Sequence, residues 1–326
     1  MKSLWNDNDA KKYGKSLLAK RVYTSRLLGA NPDLVLHGGG NTSVKIEKKD
    51  FFGISKEYLY VKGSGCDLAT INEDDFSACD IQDLLSLSLM DELSDTNMVN
   101  QSRASMLDPN SLTPSIEAIV HAVIPSKYVD HTHADSILSL TNCPKGRKNI
   151  SDLFGDSVIV VPYVMPGFDL AKEVRKKIQK AQLNKVEGMI LMNHGIFTFD
   201  DDPRSSYEKM IRLVSRAERY IKKKISKKKL PSLKSQGISP NDLSRLRKVV
   251  SEWRGQPVLA SFDNDIKSTN FACLKNIKSI STRGPLTPDH VIRTKRTPAI
   301  IGSNIIDSID KYVDCLLYTS PSPRDS

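Results

Sequence analysis

VDHTHADS, Val129 to Ser136, is the stretch that decides how this chain reads. Taken as a strand, it turns His131 and His133 to the same face, because residues i and i+2 of a strand point the same way. Asp135 to Leu140 then reads as a helix, so a strand-to-helix switch follows directly on the histidine pair. Farther along, the apolar run Gly188 to Met192 closes on Asn193-His194-Gly195, where a second strand would deliver a third imidazole into a cleft. Three protein ligands and an open position describe a catalytic zinc-type centre; a structural one is closed by four. An HxH pair by itself is also ordinary strand or loop sequence. The metal reading gains its weight from His194, since half of the chain's six histidines fall in these two places.

Working outward, strands and helices intermix. Asp9 to Leu28 has helical periodicity and stops at Gly29-Ala30-Asn31-Pro32. Leu34 to Leu36, Ser43 to Ile46 and Tyr58 to Val61 read as short strands, and Ile81 to Leu93 as a helix. Thr113-Pro114 reads as the N-cap and first turn of a helix running through Ile124. Ser157 to Val161 and Glu187 to His194 read as strands around a helix at Asp169 to Gln182, and the pattern from Tyr207 to Ile221 is helical again. This mixture argues for an α/β or α+β layered domain.

Composition sets the outer bounds. With 326 residues, 39% of them hydrophobic and 26% charged, the chain can bury a full core and reads as one large domain with an appendage. The start, MKSLWNDNDAKKYGK, lacks the apolar stretch of a secretion signal, and the apolar run Val158 to Val161 stops at Pro162, so no membrane span is expected and the cytoplasm is the expected compartment. Five scattered cysteines without CxxC spacing read as reduced thiols. The net charge of +10 is densest at Lys222 to Lys229. That run closes a helical pattern, where cations are favoured, and no aromatic interleaving accompanies it. No nucleic acid is expected; an anionic small substrate also fits a basic chain.

Two glycine-rich loops stand out, His37-Gly38-Gly39-Gly40-Asn41-Thr42-Ser43 and Lys62-Gly63-Ser64-Gly65. Glycine permits positive φ and lets backbone N–H groups converge on an anion such as phosphate. Neither loop is a nucleotide fingerprint, and either alone is compatible with a plain tight turn. Between them and the histidines sits Glu117, early in the helix expected from Pro114, with His121 on its face four residues on. A glutamate in a first turn is structurally unremarkable. Beside a metal, the same carboxylate can shuttle a proton. His121 reads as a packing or supporting residue rather than a ligand.

The series LHGGGNTSVK, YVKGSGCDLATI, PSIEAIVH, VDHTHADS and MNHGIFTF, in that order over about residues 10 to 225, resembles the class II aldolase/adducin family. TRGPLTPDHVIRTKRTP, Thr282 to Pro298, is further similar to the aldolase half of bifunctional rhamnulose-phosphate aldolase/alcohol dehydrogenase-like proteins. The resemblance implies a three-layer α/β/α fold with a central mostly antiparallel sheet, a homotetramer, and zinc-dependent (or other divalent-metal-dependent) cleavage of a ketose 1-phosphate to dihydroxyacetone phosphate and an aldehyde. It implies His131, His133 and His194 as metal ligands and Glu117 as the acid/base, returning a proton to carbon in an enediolate reaction. It also implies a phosphorylated-sugar site built from Gly40, Asn41, Ser64, Gly65 and Ser115. The family position after Ser115, often serine, is Ile116 here, which weakens the phosphate clamp and leaves a non-phosphorylated substrate open. The tyrosine that some members supply from a neighbouring subunit has no clear counterpart, Tyr163 being a poor one. Pentulose-phosphate 4-epimerase and sugar-phosphate dehydratase activities use the same metal and loops, and an adducin-like interaction protein uses the same fold without catalysis.

The resemblance divides the chain into an aldolase-like domain over residues 1–230, a C-terminal extension over 231–314 and a tail over 315–326. Leu230 to Gly237 reads as a Pro/Ser linker, Pro240 to Trp253 as a helix, Pro257 to Ser261 as a possible strand and Thr287-Pro288-Asp289 as a helix start. Arg283, Arg293 and Lys295 read first as exposed structural charge and only second as cations reaching a phosphate. The tail CLLYTSPSPRDS breaks with what precedes it and resembles translated adaptor read-through, as from a truncated gene.

Overall fold

Seven strands, some alternating in polarity and others, such as Val158–Val161 and Gly188–Leu191, continuously apolar, build a single sheet in the computed structural model of the chain, which describes residues 1–225 and 238–319. The elements run α1 (Asp7–Tyr13), α2 (Leu17–Gly29), β1 (Asn41–Lys49), β2 (Ser55–Lys62), β3 (Phe76–Asp80), α3 (Ile81–Leu87), α4 (Asp95–Ala104), α5 (Ala118–Val123), β4 (Tyr128–Thr132), α6 (Asp135–Thr141), α7 (Gly146–Phe154), β5 (Val158–Val161), α8 (Phe168–Lys180), β6 (Gly188–Leu191), β7 (Gly195–Asp200) and α9 (Pro203–Ile225). The strand order is β3-β2-β1-β4-β7-β6-β5. Every neighbouring pair is antiparallel except β5 with β6. That one parallel pair needs a crossover, and α8 supplies it. The expected α/β architecture with a mostly antiparallel central sheet is therefore the observed one.

Helices cover both faces of the sheet. On one, Leu59, Val61, Val129, Met189, Phe197 and Phe199 pack with residues of α3, α5 and α8. On the other, Phe76, Val158, Ile190 and Ile196 pack with α2, α6, α7 and α9. The long helix α9 earns its place through Tyr207, Met210, Ile211, Leu213, Val214 and Ala217, all buried, at the spacing that lines one helical face. Strand β4 shows how the period of two assigns chemistry to faces. Val129 joins the α5/α8 side. Asp130 turns the other way, pairing in full burial with Arg21 of α2 and accepting a hydrogen bond from Ser206 Oγ of α9 at 2.5 Å. His131 returns to the Val129 side, its ring stacked on Phe197 with centroids 4.0 Å apart.

Two compact units are separable in the described chain. The first comprises residues 1–225 with the segment Leu286–Arg293; the second comprises residues 238–285 and 294–319. Within the second, α10 (Pro240–Arg254), α11 (Ile266–Ala272), α12 (Ile277–Ser281) and α14 (Ile305–Thr319) are helical, and Trp253 Nε1 donates to Asp310 Oδ1 at 2.8 Å to tie α10 to α14. The short helix α13 (Pro288–Val291), capped by Thr287, belongs to the first unit.

Several expected elements differ, each for a local reason. Asp9 to Leu28 is two helices, because Gly14 at φ 112° ends the first and the Ser16 side chain caps the second by accepting from Ala19 N–H. Leu34 to Leu36 is a turn and not a strand; the amides of Leu34 and Val35 donate back to Asn31 O. The helix from Ile81 ends at Leu87, followed by tight turns. Thr113-Pro114 does not open a helix. Pro114 bridges Gly63, Ser64 N–H donates to Thr113 O and Ser115 N–H to Lys62 O, which holds this stretch extended until α5 starts at Ala118. Pro257 to Ser261 forms no strand, and Leu259 is exposed. The run at Lys222 to Lys229 is helical to Ile225, with the rest of it, the linker at 230–237 and the tail from 320 outside the described residues.

Candidate metal centre

Two adjacent pieces of the sheet carry the three imidazoles. His131 is in the central strand β4, paired on one edge with Asn41 of β1 and on the other with Phe197 of β7, and His133 follows just past the strand's end. His194 is not on a strand as expected but in the tight turn joining β6 to β7. Asn193 there takes φ 60°, a left-handed value in which asparagine is among the few tolerant residues. Its side-chain amide donates to Asn142 Oδ1 at 2.9 Å, which secures the turn. Gly195 follows because nothing larger fits: a Cβ there would lie 2.5 Å from Thr132 O and 2.9 Å from His131 Cε1.

The rings converge. His131 Nε2 and His133 Nε2 are 3.1 Å apart, and one ligand atom from each of the three histidines lies within 4.8 Å of the others. His131 Nδ1 donates to Ile196 O at 3.0 Å, and His133 Nδ1 to Asp289 Oδ1 at 2.5 Å. Those donations leave the two Nε2 lone pairs facing one another. Two lone pairs at that distance repel, whereas nitrogens bound to one tetrahedral zinc at 2.0–2.1 Å sit about 3.3 Å apart. Glu117 Oε1, 3.5 Å from His194 Nε2, is fully buried with no hydrogen-bond partner among the described residues. An acceptor-rich, donor-poor cluster of this kind fits a divalent cation.

The electrostatics agree. Burial lowers the affinity of His131 and His194 for a proton. Burial pushes Glu117 upward, but the facing His131 and His194 rings and the Asn41 amide outweigh it and hold the carboxyl down at about 2. These tendencies compete, because a neutral imidazole draws a carboxylate down less than an imidazolium does. The Asn41 donor persists whatever the state of those two rings. The assignment that satisfies both is neutral His131 and His194 beside an ionised Glu117, the protonation a metal site requires of them.

Asn41 organises the next layer. Its Nδ2 donates to Glu117 Oε2 at 2.6 Å and to Ser115 Oγ at 3.0 Å, while its Oδ1 faces His121 Nε2 at 2.5 Å. An amide oxygen only accepts, so His121 carries its proton on Nε2 and accepts from Ser43 Oγ at Nδ1, 2.7 Å away. Burial keeps His121 neutral, its pKa lowered to about 3. His121 thus supports the site from outside the cluster, as expected.

Of the other expected residues, Gly40 (φ 55°) opens onto His131 O, and Ser64 and Gly65 lie on the second glycine loop, which approaches Gly38. Lys62 joins the loops by donating from Nζ to Gly38 O at 2.9 Å and to Cys66 O at 2.7 Å. Ile116 and Tyr163 are exposed. Arg293 donates to His37 O at 2.7 Å, whereas Arg283 and Lys295 fall in the second unit. Sequence reasoning missed Lys62 and Asp289; the first had a legible signal, a cation ending a strand beside a glycine loop, and the second had none.

A family model described as the class II aldolase and adducin N-terminal domain matches residues 19–221, and one described as the second domain of class II aldolases matches residues 238–316. The chain belongs to the class II aldolase and adducin family. Among curated proteins it is 33% identical over 313 residues to the uncharacterized oxidoreductase YuxG of Bacillus subtilis (strain 168), covering 93% of this chain and 45% of that one. The chain therefore spans less than half the length of that relative. Among solved structures it is similar to the N-terminal class II aldolase domain of a conserved protein from Thermoplasma acidophilum, at 40% identity and a TM-score of 0.62, covering 68% of this chain and 99% of that one. Among the described residues no helix is long and apolar enough to cross a membrane.

Proposed function

We propose that this chain is a divalent-metal-dependent aldehyde-lyase, with zinc the ion best matched to the donor set, that cleaves a ketose 1-phosphate of the rhamnulose-phosphate kind to dihydroxyacetone phosphate and an aldehyde. The observation that carries the reading is the convergence of His131, His133 and His194 on one point beside the buried Oε1 of Glu117, which has no hydrogen-bond partner among the described residues. When bound, a divalent ion supplies charge stabilisation for the substrate oxygens as the C3–C4 bond breaks. His131, His133 and His194 would hold that ion. Glu117, kept ionised and aimed by Asn41, takes the proton that must leave and returns one to the carbon terminus of the enediolate. Gly40, Asn41 and Ser115 on one side and Ser64 and Gly65 on the other bind and orient the phosphorylated end of the sugar. The exposed Ile116 in place of a second hydroxyl makes that grip looser.

The deciding experiment incubates zinc-loaded protein with a panel of ketose 1-phosphates and their free sugars and detects dihydroxyacetone phosphate or dihydroxyacetone. Appearance of either product is the expected outcome. Silence across the panel rejects the lyase reading, and an isomeric sugar phosphate or a dehydrated product in its place assigns the chain to epimerase or dehydratase chemistry on the same centre.

A further inference from the structure

We propose that Asp289, delivered by the segment Leu286–Arg293, is a positioning residue for His133, so that the candidate metal centre is incomplete without a piece of chain that follows the aldolase-like domain in sequence. The inference rests on the metal-centre reading above and adds a residue to it.

Two hydrogen bonds and one close approach of backbone fix this carboxylate. Oδ1 accepts from His133 Nδ1 at 2.5 Å across 156 positions of sequence. Oδ2 accepts from the backbone N–H of Leu36 at 2.8 Å, at the entrance to the first glycine loop. The loop itself is shaped around the group: a Cβ built on Gly39 would fall 1.7 Å from Asp289 Oδ1, so the second glycine of Gly38-Gly39-Gly40 makes room for it. Asp289 is 2% exposed. Both oxygens are thus oriented, with no freedom to rotate away from the ring.

The chemical consequence follows from the tautomer. A carboxylate on Nδ1 requires the His133 proton there, which leaves Nε2 bare and aimed at the point where His131 Nε2 also converges. Carboxylate partners of this sort orient a ligand imidazole and raise its basicity, and their loss typically costs 10–100-fold in metal affinity. Neighbouring residues on both sides of Leu286–Arg293 belong to the second unit, so the segment is an insertion of later sequence into the first unit's site.

The test uses the full chain and cobalt(II) alone as the probe, read by its ligand-field absorption, with zinc affinity obtained by chelator competition and apo-protein melting recorded in parallel. Asp289→Ala is expected to bind either ion 10–100-fold more weakly and to alter the cobalt spectrum, with Asp289→Asn, which keeps the shape, falling between it and the parent. Gly39→Ala, whose methyl takes the carboxylate's place, should reproduce the loss. Should Asp289→Ala not fold, Asp289→Asn carries the comparison. Variants that match the parent in affinity and spectrum overturn the proposal, as does a lowered apo melting temperature with undiminished metal affinity, which would make Asp289 merely structural. A parent protein that takes up no cobalt or zinc is a separate result and refutes the metal centre itself.

Discussion

Replacing Gly195 by alanine adds one methyl group, and the structure says what that methyl must meet. The residue does not occupy the left-handed region, so alanine adopts its backbone without strain and any effect is steric. The new Cβ would sit 2.5 Å from Thr132 O, 2.9 Å from His131 Cε1 and 3.1 Å from His133 Cδ2. Ordinary contact begins near 3.4 Å, so the end of β4 must retreat from β7 by about 0.9 Å, or the turn carrying His194 must. Backbone carbonyls have no rotamer through which to escape. Overpacking of this kind costs about 1–3 kcal/mol, which at roughly 2–4 °C per kcal/mol for a domain of this size lowers the apo melting temperature by about 2–12 °C. The larger effect falls on the ion, because ligand distances tolerate only about ±0.2 Å. Zinc affinity, measured by chelator competition, should therefore fall at least about tenfold. Gly302→Ala is the matched control, since its Cβ meets nothing closer than Ser308 Oγ at 3.7 Å. A Gly195→Ala protein that melts like the parent and binds zinc as tightly would show that this crowding does not constrain the site.

Glu117→Ala should retain zinc while turnover on the responsive sugar falls by about 10²–10⁴-fold, the range for a general acid–base group; undiminished turnover assigns the proton transfer elsewhere. The apo protein should lose stability steadily as pH falls below neutrality. His121 has a folded pKa of about 3 against an ordinary 6.5, and Glu117 is held below its ordinary 4.5. In both windows the unfolded chain binds more protons, so stability rises with pH. Melting followed from pH 7 to 4 checks this, and His121→Gln should flatten the part between 6.5 and 4; a slope of the opposite sign contradicts the neutral, buried imidazole. Arg21→Ala strands Asp130 uncompensated in the core and should cost about 3–5 kcal/mol by denaturant unfolding, whereas Arg21→Met with Asp130→Leu should recover most of it. A double variant no more stable than Arg21→Ala would show that the loss comes from packing around Arg21 rather than from the stranded carboxylate.

Local spacing makes part of this molecule legible in its sequence. The spacing of the HxH pair anticipates that His131 and His133 face each other, although His133 lies just past the end of β4. The mixture of helical and alternating segments likewise yields the layered class. Thr113-Pro114 misleads because its cap-like chemistry is overridden by the bridge to Gly63, a contact decided by a partner far along the chain. Leu34 and Val35 are apolar for burial under α2 and not for pairing, and a short apolar run does not distinguish the two. Strands β3 and β7 and helices α4 and α7 escape notice because each lies next to a stronger signal. Asp289 is the clearest case of what single-sequence reasoning cannot see: its meaning depends on a hydrogen bond to a residue in another part of the chain, and TPDH reads equally well as a helix start and nothing more.

The register of β4 against its neighbours has a consequence for quality control. A slip of one residue along β7 would rotate His131 toward the α2/α9 side and Asp130 toward the candidate centre. Coordination and strand alignment are thus a single constraint, and an ion in excess would favour correctly aligned molecules by RT ln(1 + [L]/Kd). Uptake of metal would then certify that the middle of the sheet has zipped in phase.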